Sequence, residues 1–236
     1  MTSTKGDMGM IEAHELKDRD LYLKKLIGFQ DTELVKVITG IRRCGKSSLL
    51  KLMIRHLQKS GIRKEQIVQM NFESHDLQKM TSDDVYHYVK ERVVSGKRMY
   101  LFFDEIQRID AWEDAINSFR VVLDCDIYVT GSNAYLLSSE YSTYLSGRCV
   151  EIKMLPLSFR EFLLFCDFEV WETSSSIGRA RRQIFDKNGE RYDLKELFNA
   201  YMRFGGMPSI TEVIPDLEKV LSLLDGIYST VVYEIS

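Results

Sequence analysis

The chain has 236 residues, of which 44% are hydrophobic and 28% charged, and its formal net charge is −3. That mixture excludes a chain disordered over most of its length, and the slightly acidic balance removes any global electrostatic case for nucleic-acid binding. Four scattered cysteines without a CxxC pair argue against a zinc site, and no apolar run approaches the roughly 20 residues needed to span a bilayer.

The opening "MTSTKGDMGMIEAHELKDRD" has no apolar core and so is not a signal peptide. Residues 1–20 read as a lead-in, and the thiols are those of a soluble cytoplasmic protein with no membrane contact. From residue 21 to 155 short apolar runs alternate with longer amphipathic ones. The predicted strands are "LVKVIT" (34–39), "IVQMNF" (67–72), "RMYLFFD" (98–104), "DIYVTGS" (126–132) and "CVEIKM" (149–154). Several are apolar throughout, as strands buried on both faces of a parallel sheet must be. A helix follows residue 48, with Leu49, Leu50, Leu52, Met53 and Leu57 on its inner face. A second, over 111–123, places Trp112, Ala115, Ile116, Phe119, Val122 and Leu123 at spacings of three and four. Alternation of this kind predicts an α/β fold of βαβ units.

After Pro156 the pattern changes. Ser158 with Glu161 three residues later is a capping-box signature for a new helix. The polar stretch 172–191 reads as a mobile connection, and helices are expected near 193–204 and 216–233. Residues 156–236 therefore form a mostly helical second part. The chain stops at "VVYEIS" still in helical pattern, as either a frayed end or a piece of something longer.

"GIRRCGKS" fits G-x-x-x-x-G-K-[ST], with Gly40, Gly45, Lys46 and Ser47, between a strand and an amphipathic helix. Backbone amides and the positive end of the helix would face a phosphate, Lys46 would bridge the β- and γ-phosphates, and Ser47 would hold Mg²⁺. The nucleotide contact comprises Gly40, Ile41, Arg42, Arg43, Cys44, Gly45, Lys46, Ser47 and Ser48. Asp104, ending the third strand, is placed to hold Mg²⁺ through its water shell, and Glu105 to polarise an attacking water. "TGSN" offers Thr130, Ser132 and Asn133 at the γ-phosphate, Ser132 first and Asn133 second. Arg148 precedes the fifth strand, either as a solvated arginine or as one reaching a neighbouring subunit's γ-phosphate. Cys44 lies just before a helix N-terminus, where a thiol's pKa tends to fall, so ATP should protect it from alkylation.

The set "GIRRCGKSS", "YLFFDEIQ", "YVTGSNAYLL", "LSGRCVEIKMLPLSFREF" and "FGGMP" resembles a group of predicted bacterial and archaeal AAA+ ATPases, over roughly residues 15 to 236. The resemblance implies ATP, Mg²⁺, a five-stranded parallel sheet of order 5-1-4-3-2 and a helical lid. It makes Lys46 and Ser47 the Walker A pair, Asp104 and Glu105 the Walker B pair, Ser132 a sensor and Arg148 an arginine finger within a homo-oligomer. Asn71 falls where a polar residue restrains the catalytic glutamate, and Arg203 where a second sensor would lie. It also implies a further C-terminal domain beyond this chain, and a protein or nucleic-acid client that the residues do not name. Cys44 stands where the group commonly has serine. The expected activity is ATP hydrolysis driving a conformational change. The alternatives are a slowly hydrolysing switch or scaffold and a P-loop kinase with "RARR" (179–182) as its lid.

Overall fold

In the computed structural model, which describes residues 16–131, 147–174 and 180–211, the five apolar runs become parallel strands. These are β1 (Val35–Gly40), β2 (Ile67–Asn71), β3 (Met99–Asp104), β4 (Cys125–Thr130) and β5 (Cys149–Met154), in the order β2-β3-β4-β1-β5. Read from the other edge this is the expected 5-1-4-3-2. Every residue of β1 and β3 is buried, and every residue of β4 after the first, because these strands have neighbours on both sides and helices on both faces. The edge strands β2 and β5 alternate between buried and exposed residues instead.

Four helices cover the sheet: α1 (Asp20–Gly28), α2 (Lys46–Lys59), α3 (Ser82–Lys90) and α4 (Trp112–Val122). The two-residue period of a strand sorts the core into two halves. Ile38, Phe102, Tyr128 and Ile152 point to one face, where Leu26 of α1 and Leu49, Leu50, Met53 and Leu57 of α2 pack on them. Val37, Leu101, Phe103 and Val129 point to the other, against Val85 and Val89 of α3 and Trp112, Ile116 and Phe119 of α4. At the N-terminal ends of the central strands Lys36 is fully buried and ion-paired with Asp126. Asp126 also accepts from the Tyr128 hydroxyl and the Asp31 N–H, each at 2.8 Å.

Beyond β5, α5 (Phe159–Phe165) starts in the predicted capping box: Ser158 Oγ accepts from the Glu161 N–H at 3.4 Å, and the Glu161 carboxylate accepts from the Ser158 N–H at 2.9 Å. The next segment differs from expectation. The polar stretch read as a connection is largely a three-stranded antiparallel sheet, β6 (Glu169–Ser174), β7 (Ala180–Phe185) and β8 (Arg191–Tyr192). Its β7–β8 turn is built by Asp186, whose carboxylate accepts the N–H groups of Asn188 and Glu190, and by Gly189 at φ +81°. "RARR" runs into β7, so the backbone there is paired strand from Ala180 onward. Helix α6 (Leu194–Phe204) follows, capped by Asp193. The second part is thus mixed rather than mostly helical through residue 211, and the helix expected near 216–233 lies outside the described residues. Leu157, Phe162, Leu163 and Ile184 form its small core. Among the described residues no helix is long and apolar enough to cross a membrane.

Candidate functional site

The glycine loop occupies the C-terminal end of β1. Gly40 has φ +148°, and a Cβ there would lie 2.5 Å from the Met154 carbonyl oxygen and 2.9 Å from Cys44 Sγ, so no side chain fits between loop and β5. Arg43 and Gly45 also have positive φ, +64° and +98°, which turns the chain tightly into α2 with Gly45 as its N-cap. The first turn of α2 carries no acidic residue and begins with Lys46, so the helix dipole and the lysine present one positive face. Lys46 is 5% exposed; its Nζ donates to the Gly40 carbonyl at 3.1 Å and lies 3.7 Å from Glu105 Oε1.

Asp104 ends β3 and is buried. Thr130, ending the neighbouring β4, serves both acidic positions through one hydroxyl. Its Oγ1 donates to Asp104 Oδ1 at 2.5 Å and accepts the Glu105 N–H at 3.0 Å. Glu105 itself is in the left-handed region at φ +54°, which swings its side chain away from the strand direction. Its Oε2 accepts from Gln107 Nε2 at 2.6 Å. Of the three "TGSN" positions, Thr130 is the one that ties β4 to the acidic turn among the described residues. Ser132 and Asn133 lie outside the described residues. Gln107 had no reading from sequence, although it stands in the quoted "DEIQ".

A second set of contacts joins the loop to the residues after β5. Arg19, 3% exposed, donates through Nη1 to the carbonyls of Cys44 (3.1 Å) and Leu155 (3.0 Å). Its Nε and Nη2 engage the two carboxylate oxygens of Glu161 at 2.9 and 3.1 Å. Burial alone would raise the pKa of Glu161, but hydrogen bonds from Arg19 and Ser158 hold it below the ordinary carboxylate value. The "FGGMP" motif packs here as well. A Cβ on Gly206 would sit 2.3 Å from the Leu157 carbonyl oxygen, and the Leu157 N–H donates to the Gly206 carbonyl at 2.6 Å. Next to Gly45 and Ser48 opens a cavity of about 800 Å³, walled by Leu16, Phe162, Phe165, Phe168, Tyr192, Leu197 and Pro208.

Other expected residues are placed differently. Asn71 is exposed and its Oδ1 accepts from the Glu73 N–H at 2.8 Å; the amide on Glu105 comes from Gln107 instead. Arg148 is exposed before β5, where its carbonyl accepts from Val35 N–H at 2.9 Å. That is the opposite end of the parallel β1–β5 pair from the Gly40–Met154 end, roughly 17 Å away along the strand. It is not brought to the loop of its own chain. Arg203 is exposed with its guanidinium 5.4 Å from the Phe204 ring centre, outside the cavity wall. Ile41, Arg42, Arg43 and Ser48 are exposed along the loop and first turn, Arg42 Nη2 lying 3.5 Å from Glu73 Oε1. The lowered thiol pKa expected of Cys44 is not found: the residue is fully buried, and burial pushes its pKa up despite Lys46 and Arg19 nearby.

Comparison with known proteins gives the same answer as the geometry. A protein-family model described as an AAA domain matches residues 32–163, more than half of the chain. An uncharacterised protein of Haemophilus influenzae is 38% identical over 216 residues, covering 91% of this chain and 49% of that protein. An uncharacterised protein of Methanocaldococcus jannaschii is 32% identical over 198 residues, covering 82% of this chain and 41% of its own length. The chain therefore spans about half the length of these relatives. The solved Walker-type ATPase of Pyrococcus abyssi superposes with a TM-score of 0.56 at 15% identity, over 92% of this chain and 75% of that one, a likeness of fold. With its phosphate loop between a central strand and α2 and its acidic pair at the C-terminal end of the next strand but one, the chain belongs to the AAA family of P-loop ATPases.

Proposed function

We propose that this chain binds ATP with Mg²⁺ and hydrolyses it to drive a conformational change within an AAA-type assembly. The observation that carries the reading is the meeting of Lys46 and Glu105 at the mouth of the loop, Nζ to Oε1 3.7 Å. A lysine that neutralises γ-phosphate charge and a carboxylate that takes a proton from water are the two groups an in-line phosphoryl transfer to water requires. Ser47 and Asp104 offer the hard oxygen donors that suit Mg²⁺. Asp104 keeps Oδ2 for this task while Thr130 holds Oδ1. Among the described residues no cluster of three His, Cys, Asp or Glu could hold a metal alone, so the phosphate oxygens and water would complete its shell. The ion would neutralise charge on the leaving phosphates. The adenine ring would enter the cavity of about 800 Å³ beside Gly45, against Phe162, Phe165 and Tyr192. Ser132 remains our choice for the γ-phosphate sensor. Arg148, roughly the length of β5 from its own loop, would act only on a neighbouring subunit's nucleotide.

One feature favours the second reading, a slow switch. Both oxygens of Glu105 are engaged, one near Lys46 and one by Gln107. A carboxylate so held must exchange a partner before it can take a water proton, which predicts low basal turnover and relief on assembly. The kinase reading loses support, because "RARR" enters a paired strand rather than a closing loop. The test is phosphate release with MgATP, together with mass measurement with and without nucleotide, for the parent and for Lys46→Ala. Nucleotide-dependent association and phosphate release that Lys46→Ala abolishes are expected. Phosphate release unchanged in Lys46→Ala would refute the reading.

A further inference from the structure

Arg19 is a buried cation that the proposed chemistry does not use. It sits before α1, yet its four hydrogen bonds go to residues 25 to 142 positions away, in the glycine loop, at the end of β5 and in α5. A buried guanidinium is costly unless every donor finds an acceptor, so the arrangement fixes the groups around it as firmly as they fix the arginine.

We propose that Arg19 is a positioning residue that sets the phosphate cradle and couples it to α5. Its bond to the Cys44 carbonyl determines how the Cys44–Gly45 peptide lies. In a planar trans peptide the N–H points opposite to the C=O. With the Cys44 oxygen turned inward to Arg19, the Gly45 N–H is turned outward, at the N-terminus of α2 where an anion would bind. The other edge of the same guanidinium grips Glu161 bidentately, on the helix whose Phe162 and Phe165 wall the adjacent cavity. A single rigid fork therefore links phosphate contacts to the wall of the cavity. Anything that shifts the Cys44–Gly45 peptide on phosphate binding pulls on α5, and displacement of α5 loosens the cradle.

The inference rests on the nucleotide-binding reading, and the experiment separates the two. Arg19→Lys keeps the charge but loses the fork. Glu161→Gln keeps the capping box with Ser158 and the Arg19–Cys44 bond, but breaks the ion pair. MgATP affinity is measured alongside amide hydrogen exchange of Phe162–Cys166 with and without nucleotide. In the parent, nucleotide should slow exchange in α5. Arg19→Lys should weaken MgATP about tenfold or more, while Glu161→Gln should still bind but lose the nucleotide-dependent slowing. A purely structural arginine would change exchange equally with and without nucleotide, and that outcome overturns the proposal. Affinity within twofold of the parent in folded Arg19→Lys also overturns it. If Arg19→Lys does not fold, Glu161→Gln decides alone, and retained nucleotide-dependent slowing overturns the coupling. A parent that binds no nucleotide overturns both readings.

Discussion

Replacing Thr130 by Val exchanges one buried hydroxyl for a methyl of nearly the same size, so the perturbation leaves no cavity and changes only polarity. In the parent that hydroxyl, fully buried, donates to the Asp104 carboxylate and accepts the Glu105 N–H. The variant strands a carboxylate oxygen that is itself buried and a backbone donor in a left-handed turn. A hydrogen bond to a charged group contributes about 1.5–3 kcal/mol and a neutral one about 0.5–1.5 kcal/mol, so the expected loss is about 2–4.5 kcal/mol. Urea unfolding should show a lower midpoint at constant slope. The same change frees the two residues assigned to metal and water, and turnover should fall tenfold or more from misalignment. Thr130→Ser restores the hydroxyl and should recover most of both. A Thr130→Val variant within about 0.5 kcal/mol of the parent, with unchanged turnover, would show that the acidic turn does not depend on β4.

Glu113, in the first turn of α4, is 6% exposed and its Oε1 has no hydrogen-bond partner among the described residues; burial raises its pKa from 4.5. A carboxyl raised in the folded state contributes stability below its unfolded pKa and loses it as pH rises through the folded one. Glu113→Gln should therefore be the more stable protein at pH 7, by about 1 kcal/mol or a few °C in Tm, and that advantage should vanish near pH 4; equal Tm differences at both pH values would contradict this. Cys44 is fully buried with a raised thiol pKa, so iodoacetamide should label it only as fast as the protein opens, and rapid labelling of native protein blocked by ATP would contradict the placement.

The parallel sheet was legible because burial on both faces leaves little room for polar alternation: "MYLFFD" is apolar up to its last residue, and the one charge inside "VKVITG", Lys36, is paired with Asp126. The loop was legible because Gly40 and Gly45 answer to backbone geometry that other residues resist. The antiparallel sheet at 169–192 was not read, because only Ile184 of its described side chains is buried, while Val170 and Trp171 stay exposed, so burial writes no period-two pattern into the segment. Its one local signal was Asn188-Gly189, a dipeptide suited to a hairpin turn. Arg19 left no local signal, since its partners converge only when β1, β5 and α5 are folded together. Asn71 and Gln107 show the same limit at closer range. Asn71 neighbours Asp104 in strand register, yet Gln107 reaches Glu105 because the left-handed turn at Glu105 brings residue 107 back beside it.

In the proposed reaction Glu105 polarises water for hydrolysis of ATP held by the loop. Phosphate release measured beside nucleotide binding, in the parent and in Glu105→Gln, tests it most directly. The amide keeps the shape and the neighbourhood of Lys46 but cannot take a proton. Glu105→Gln should bind MgATP within a few-fold of the parent, with turnover reduced at least a hundredfold. Hydrolysis by Glu105→Gln at the parental rate would contradict it.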